Sequence, residues 1–260
     1  MRCEDIINRL EELSPVKFAE QWDNVGLLVG RRDKEVQKIY IALDVTEDVI
    51  DRAITLSADM IISHHPMIFS AVKKVNSDDF AGRRLLNLIR NDIAVYAMHT
   101  NFDVMGMADA AADELKLKKS QVLSVTYEDD ISKEGFGRVG KLPSIMTLEE
   151  CAEYVKEQFR LEHVIVYGGL DSMIETAAIL PGSGKSMAKD VLSSGADVFI
   201  TGDIGHHDGI DLVAAGICVI DAGHFGIEKL FVPYMKEYLE RQFPEITVNT
   251  HHLQSPCVVM

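Results

Sequence analysis

Side chains that can bind metal ions stand at or just after the predicted ends of strands in this chain. They are His64, His65, His99, Asp103, His224 and Glu228. Imidazole nitrogens and carboxylate oxygens suit zinc, iron, manganese or nickel, and one carboxylate can bridge two ions. Six such groups exceed the needs of one tetrahedral ion. The pattern therefore predicts two divalent ions about 3.5–4 Å apart, as metal-dependent hydrolases use.

The strands that position these residues alternate with amphipathic helices. The segments KIYIALDV (38–45), EDVIDRAITLS (47–57) and ADMIIS (58–63) have the patterns of a strand, a helix and a strand. This alternation is typical of an α/β layered fold with mainly parallel strand pairing. Such sheets hold their ligands at the carboxyl ends of the strands, which is where the candidate residues fall.

The second half of the chain repeats this plan. Residues 38–65 lie over residues 176–203 without a gap, and both segments carry Ala-Asp before their second strand. IAVYAMHTNFD (93–103) likewise has the shape of ICVIDAGHFGIE (217–228), since each is a strand ending near a histidine that an acid follows four residues later. The polar residues thus recur at the same structural place, the carboxyl ends of strands.

The repeat predicts an α/β fold made of two similar α/β/α lobes. The first lobe is expected over residues 1–126, and the C-terminal segment can complete it. The second is expected over residues 127–260. Convergent α/β patterning is the alternative explanation of the weak internal similarity, and it stays open at this point.

The composition excludes several classes of protein. There are 41 Asp and Glu residues against 26 Lys and Arg, which gives a formal net charge of -15. Such a chain repels nucleic acids and anionic membranes, so neither is expected as a partner. No apolar run approaches the roughly 18 to 20 residues that span a bilayer. The charged N-terminal segment has the pattern of an amphipathic helix rather than of a signal peptide.

The cysteines indicate the redox environment. The four of them stand far apart and form no CxxC pair. This spacing argues against a disulfide scaffold and against a zinc ribbon. The reducing cytoplasm is therefore the expected location.

A glycine-rich segment, ILPGSGKSMAK (179–189), is close to a phosphate-binding loop but fails its pattern. The Walker pattern requires glycine at the position that Ile179 occupies. A turn between a strand and a helix is still predicted, and two interpretations of it stay open. Its backbone amides bind an anion such as a substrate phosphate, or it is simply a tight turn capped by Ser183 or Ser186.

Further residues have expected accessory roles. In the segment WDNVG, Asp23 and Asn24 are expected to form a turn and to contact the site, whereas Trp22, the sole tryptophan, is expected to pack. His207 lies in a loop beyond a strand end and is expected to contact a ligand residue or the substrate. The histidine pair at 251–252 is expected to be solvated.

Five segments, in order along the whole chain, resemble the GTP cyclohydrolase 1 type 2 homologue family, also called Ngg-interacting-factor-3-like proteins. They are EQWDNVGLLVG (20–30), SHHPMIFSAVKKV (63–75), MHTNFD (98–103), TGDIGHHDGIDL (201–212) and GHFGIE (223–228). The resemblance implies two α/β lobes with a dinuclear metal site in the cleft between them, and a ring-like homohexamer. Carried over residue by residue, the implied metal ligands are His64, His65, Asp103, His224 and Glu228.

The resemblance also implies an activity. Two divalent ions, of unknown identity among zinc, iron, manganese and nickel, would activate water for attack on the guanine ring of GTP, with release of formate. His99 is off the implied ligand list and is expected to be the catalytic acid or base, because an imidazole titrates near neutral pH. Two alternatives stay open: a metal-binding regulatory or interaction protein, and a hydrolase of another phosphorylated or purine-like compound. The expected partner is a small molecule, in the first case a nucleotide.

Overall fold

The computed structural model describes residues 1–260, and the chain divides into two compact units. The first unit consists of Met1–Phe102 and Phe231–Gln254, and the second of Asp103–Leu230 and Ser255–Met260. The boundary predicted near residue 126 falls inside a strand of the second unit, so the compact units divide the chain at other points. The C-terminal segment returns to the first unit because its last strand joins the first sheet.

Ten α-helices lie along the chain. They are α1 (Cys3–Leu13), α2 (Glu47–Thr55), α3 (Phe80–Arg90), α4 (Thr100–Phe102), α5 (Ala108–Glu114), α6 (Leu148–Phe159), α7 (Ala188–Ser194), α8 (His206–Ala214), α9 (His224–Glu228) and α10 (Phe231–Gln242). Short 3-10 helices span Val16–Phe18 and Lys185–Met187, and a π-helical turn spans Asp103–Met107. None of these helices has both the length and the apolar content needed to cross a membrane.

Eleven strands form two sheets. They are β1 (Gly26–Val29), β2 (Lys38–Ala42), β3 (Met60–Ser63), β4 (Ala94–Ala97), β5 (Lys118–Glu128), β6 (Lys133–Thr147), β7 (Ile165–Tyr167), β8 (Met173–Ser183), β9 (Val198–Gly202), β10 (Cys218–Asp221) and β11 (Thr247–Thr250). The five-stranded sheet of the first unit has the order β1-β4-β3-β2-β11, and the six-stranded sheet of the second has the order β5-β6-β8-β9-β10-β7. The predicted α/β class is confirmed.

The first sheet follows the expected pattern. Strands β4, β3, β2 and β11 pair in parallel with one another, and only the edge strand β1 pairs antiparallel, with β4. Every residue of β3 and β4 is buried, as the continuous apolar runs in their sequences require of a parallel sheet covered on both faces. Helix α2 begins where the Thr46 hydroxyl accepts a hydrogen bond from the amide of Val49 at 3.3 Å.

The second sheet departs from the expected mainly parallel pairing, and for this sheet the expectation is wrong. Strands β8, β9 and β10 are parallel, but β5, β6 and β7 pair antiparallel with their neighbours. Strands β5 and β6 form a long hairpin whose turn is held by Asp129, since its carboxylate accepts from the amides of Ile131 and Ser132 at 2.8 Å each. Most of β5 is exposed, so the strand lacks the apolar signal of a buried one.

One aspartate in each unit fixes the first parallel strand to the second. Asp59, just before β3, accepts hydrogen bonds from the amides of Gln37 and Lys38 at 2.8 and 2.9 Å. Asp197, just before β9, accepts from the amides of Glu175 and Thr176 at 2.9 and 2.8 Å. These are the aspartates of the two Ala-Asp pairs in the sequence. Their recurrence therefore has a structural role, which is to set the register at which the adjacent strands begin to pair, at Ile39 with Met60 and at Ala177 with Val198.

The two sheets also share a run of four strands. The order β1-β4-β3-β2 in the first corresponds to β7-β10-β9-β8 in the second, with one antiparallel strand beside three parallel ones in each. The sheets differ elsewhere, because the first continues into β11 and the second into the β5–β6 hairpin. The internal repeat as an origin for both units stays a prediction.

A buried arginine ties the hairpin to α5 in the second unit. The side chain of Arg138 on β6 is 6% exposed, and its guanidinium donates to both carboxylate oxygens of Asp109 at 2.5 and 2.9 Å. It also donates to the carbonyls of Gly135 and Gly137 at 3.0 and 2.8 Å. A charge this buried needs such a set of partners, because an unpaired guanidinium is costly to desolvate.

We expect Asp109→Ala to lower the free energy of unfolding by about 2–3 kcal/mol. The substitution removes the carboxylate, so the buried guanidinium of Arg138 keeps only its two backbone carbonyl partners. Asp113→Ala, on the exposed side of the same helix, is the matched control and should change it by less than about 0.5 kcal/mol. Urea denaturation of both variants measures the difference. Equal effects would show that the Arg138–Asp109 pair does not stabilise the second unit.

Candidate metal centre

Two neighbouring strands of the first sheet bring three histidines together. His64 and His65 follow β3 directly, and His99 comes two residues after β4. The strands are parallel and pair Ser63 with Ala97, so their carboxyl ends lie side by side. The three ring centroids are 4.9, 5.3 and 5.5 Å apart in pairs. One ring nitrogen of each histidine lies within 4.8 Å of those of the other two, which is close enough for all three to bind one ion.

A common hydrogen-bond pattern orients these rings, because in each of them Nδ1 donates to an oxygen atom. The acceptors are the Met98 carbonyl for His64 at 2.8 Å, Asp44 for His65 at 2.8 Å and Asp23 for His99 at 2.9 Å. A proton on Nδ1 places the ring's lone pair on Nε2, which is how histidine ligands are held in metal sites. The hydrogen bonds therefore leave Nε2 as the acceptor nitrogen of all three rings, which suits either a metal ligand or a base.

Asp23 organises one side of this group. Its carboxylate accepts from Nδ1 of His99 and also from the Thr100 hydroxyl and amide, at 2.5 and 3.1 Å. Burial opposes ionisation of Asp23, but the hydrogen bonds from His99 and Thr100 outweigh it and lower its pKa from 3.8 to about 2. Asn24, the next residue, donates to the carbonyl of Ile68 at 2.5 Å and so reaches the loop that follows the His64–His65 pair.

In the second unit, three further candidate residues stand around the end of the parallel strands. The short helix α9 begins at His224, three residues after β10, and ends at the buried Glu228. Nδ1 of His224 donates to Asp203 at 2.8 Å, which repeats the carboxylate–histidine arrangement of the first unit. Asp103 opens a π-helical turn, a local structure frequent at functional sites, and offers a carboxylate oxygen within 4.8 Å of one from Glu228.

The contact between His224 and Glu228 tests whether a cation fits here. Nε2 of His224 lies 2.9 Å from a carboxylate oxygen of Glu228. Because Nδ1 already carries a proton towards Asp203, Nε2 faces that oxygen with its lone pair unless the ring is doubly protonated. Two electron pairs at this distance repel each other unless a proton or a metal cation is shared between them. The nitrogen and oxygen donors thus fit a divalent cation of the zinc, iron, manganese or nickel type.

Glycines at the ends of β8 and β9 let the backbone approach this helix closely. At Gly182, where φ is +73°, an added Cβ would lie 2.4 Å from a carboxylate oxygen of Glu228. At Gly202, at the end of β9, it would lie 2.4 Å from the backbone nitrogen of His224. Neither of the two uses considered from sequence, anion binding or a plain tight turn, includes this role. The glycines provide the room that α9 needs to present its side chains.

Several acceptors that orient the histidines were not among the residues predicted from sequence. Asp44 and Asp203 each hold Nδ1 of a candidate ligand, and each follows a parallel strand by one or two residues. Their position just after a parallel strand could have identified them from the sequence, because the candidate histidines occupy the same position. His207 lies in the first turn of α8, exposed, with its ring 5.2 Å from that of His206. None of the close donor groups includes it.

Two expectations for residues other than the candidate ligands are wrong. Trp22 does not pack in the core but is 58% exposed. His251 is not simply solvated: it follows β11, its Nδ1 lies 3.0 Å from the Tyr40 hydroxyl, and burial lowers its pKa. The reason in the second case is that β11 joins the first sheet next to β2 and carries His251 with it.

Comparison with known proteins identifies the family. The family model described as Duf34/NIF3 (NGG1p interacting factor 3) matches residues 1–257. The chain belongs to this family. A Clostridium acetobutylicum relative named GTP cyclohydrolase 1 type 2 homolog is 38% identical over 257 residues, which covers 98% of this chain and 96% of that protein. The resemblance drawn from the sequence motifs is therefore confirmed.

Solved structures of similar proteins show the same fold. A Staphylococcus aureus protein has a TM-score of 0.91 at 30% identity, with 100% of this chain and 99% of that chain covered. The Bacillus cereus protein related to NIF3 also has a TM-score of 0.91, at 25% identity and the same coverage. The mixed α/β architecture with two sheets is thus shared over the whole length of the family members compared.

We expect Gly182→Ala to weaken metal binding and to destabilise the second unit, because its Cβ displaces the Glu228 carboxylate. Gly195→Ala is the matched control: its φ of +74° is nearly the same, but no heavy atom lies within 4 Å of the added Cβ. The control should lose about 1 kcal/mol of stability from backbone strain and keep its metal. Equilibrium dialysis against zinc or manganese, paired with urea denaturation, separates the two effects. Equal metal contents would contradict this role of Gly182.

The low pKa of Asp23 predicts a pH-dependent stability. The folded value of about 2 lies below the ordinary 3.8, so the ionised carboxylate stabilises the fold above pH 3.8, and this contribution is lost as the pH falls towards 2. Asp23→Asn should cost about 2 kcal/mol at neutral pH. Its deficit relative to the native chain should shrink below pH 3.8. Asp51→Asn, exposed on α2, is the control in urea denaturation, and a deficit that does not change with pH would contradict the assignment.

Proposed function

We propose that this protein is a metal-dependent hydrolase with two divalent cations, and that it opens the guanine ring of GTP with release of formate. The observation that carries the proposal is the Nδ1 pattern: the three histidines among the proposed ligands, His64, His65 and His224, each donate Nδ1 to an oxygen acceptor. Structural histidines have no general need for this arrangement, whereas metal ligands do. The name of the Clostridium acetobutylicum relative supports the substrate and the reaction.

The proposed ligands are the five residues that the family resemblance implies. They are His64, His65, Asp103, His224 and Glu228. The carboxylates of Asp103 and Glu228, which lie within 4.8 Å of each other, would supply the oxygen donors for the ions. A divalent cation in such a site supplies Lewis acidity, which lowers the pKa of water and polarises the group under attack. Zinc, iron, manganese and nickel all suit these donors, and the identity of the ions is not part of the proposal.

His99 is proposed as the acid and base of the reaction. Its ring is close to His64 and His65, and its side chain is 16% exposed, so that a substrate can reach it. Asp23 holds Nδ1 and, with a pKa of about 2, is ionised at neutral pH. An ionised carboxylate in this position orients the imidazole and stabilises the positive charge that it carries after accepting a proton at Nε2. Asp23 therefore acts by positioning His99.

The remaining sequence expectations form part of the same proposal. The two units are proposed to derive from an internal repeat, and the chain is proposed to assemble as a homohexamer that binds a small-molecule substrate. A metal-binding interaction protein is the second candidate, and the family description, which names an NGG1p interacting factor, favours it. The two candidates share the metal site and differ in whether bound nucleotide is turned over.

The test pairs elemental analysis with a formate-release assay on the same chelator-free preparation. We expect about two metal ions per chain and formate production from GTP. His65→Ala should lower metal content and abolish formate release, whereas His99→Ala should keep its metal and lose roughly 100-fold or more in rate, the usual worth of an acid–base group. His163→Ala, at an exposed position in the second unit, is the control.

A different result would refute each part of the proposal. Metal without formate release would refute the cyclohydrolase activity and favour the interaction protein or another substrate. A chain without metal would refute the metal site itself. Loss of metal from His99→Ala would make His99 a ligand rather than the acid and base.

A further inference from the structure

Two large aromatic side chains stand exposed beside the histidines of the first unit. Trp22 is 58% exposed and Phe69 is 59% exposed. Their ring centroids are 5.8 Å apart, with an interplanar angle of 49°. Single exposed apolar residues are ordinary on protein surfaces, but a pair of aromatic rings in mutual contact is a larger apolar surface and marks an interaction site. What this surface binds follows from what it adjoins.

The aromatic pair directly adjoins the candidate catalytic residue. The Trp22 ring lies 6.1 Å from the ring of His99, edge to face at 75°. His99 in turn lies 5.3 and 5.5 Å from His64 and His65. The exposed aromatic surface and the metal-competent histidines are therefore one continuous row of rings within the same unit.

Hydrogen bonds hold both sides of the pair in place. The amide of Glu20 donates to the Thr100 hydroxyl at 2.9 Å, and Asp23 accepts from Thr100 and His99, so the residues around Trp22 are fixed. Asn24 donates to the carbonyl of Ile68, which fixes the backbone immediately before Phe69. Exposed aromatic rings on a fixed backbone lose little conformational freedom when a ligand binds, and this favours affinity.

We propose that Trp22 and Phe69 form the binding surface for a planar heteroaromatic ring of the substrate and place that ring beside His99. The inference rests on the proposed function, which it deepens by naming the residues that select the substrate class. Planar rings stack on aromatic side chains whatever their substituents, whereas charged phosphate groups gain little from such a surface. The substrate class is thus a purine or a related fused heteroaromatic compound rather than a simple phosphate ester.

The composition of the chain provides a direct probe. Trp22 is the only tryptophan, so tryptophan fluorescence of the intact protein reports on this residue alone. We expect guanosine and GTP to quench the fluorescence in stopped-flow titrations, and inorganic triphosphate to leave it unchanged. Quenching by triphosphate to the same extent as by GTP would overturn the proposal, because it would show that the phosphates and not the ring are bound here.

Variants at Phe69 test the second half of the surface. Phe69→Ala should weaken guanosine binding about tenfold, the usual effect of removing one stacking ring, and Phe69→Tyr should restore it. Phe80→Ala is the matched control, since Phe80 is 58% exposed but its ring lies against Arg84. Because both substituted side chains are exposed, folding should be unaffected in all three variants. Equal affinities of Phe69→Ala and the native chain would overturn the assignment.

The outcome is separable from that of the proposed function. Ring-dependent quenching without formate release would support the aromatic surface while refuting the cyclohydrolase activity. Formate release from GTP with no ring-dependent quenching, and with an unchanged KM in Phe69→Ala, would support the cyclohydrolase activity and refute the aromatic binding surface. Fluorescence that changes with protein concentration and not with guanosine would also overturn the inference, since it would make the pair a contact between copies of the chain.

Discussion

The candidate site depends on one recurring interaction, the hydrogen bond from histidine Nδ1 to an oxygen acceptor. A carbonyl or a carboxylate occupies this position for His64, His65, His99 and His224. The acceptor fixes the orientation of each ring and the nitrogen that carries its proton, so Nε2 is the nitrogen available to a cation. Without these acceptors the histidines would still be neighbours, but either ring nitrogen could carry the proton.

Parallel strand pairing is what brings donors and acceptors together. In the first sheet β2, β3 and β4 run side by side, and Asp44, the His64–His65 pair and His99 each follow the end of one of them. In the second sheet Asp203 follows β9 and His224 follows β10 in the same way. Because the carboxyl ends of parallel strands meet at one edge, residues far apart in sequence become hydrogen-bond partners there.

The residues around the candidate ligands hold the site in a fixed geometry. Asp23 joins the segment around Trp22 to His99 and Thr100, and Gly182 makes room for the Glu228 carboxylate. A site held in this way changes little when a ligand binds, so less of the binding free energy is spent on ordering the protein. The exposed rings of Trp22 and Phe69 extend this fixed framework outward from the histidines.

The sequence by itself determined the α/β class, the parallel strands and the histidines and acids at their ends, because periodicity and residue type are local properties of the chain. It did not reveal the antiparallel β5–β6 hairpin, since β5 is mostly exposed and carries little apolar periodicity. Nor did it reveal that Asp44 and Asp203 orient histidines or that Trp22 is exposed. Those features depend on which segments become neighbours in space, and only the tertiary structure decided that.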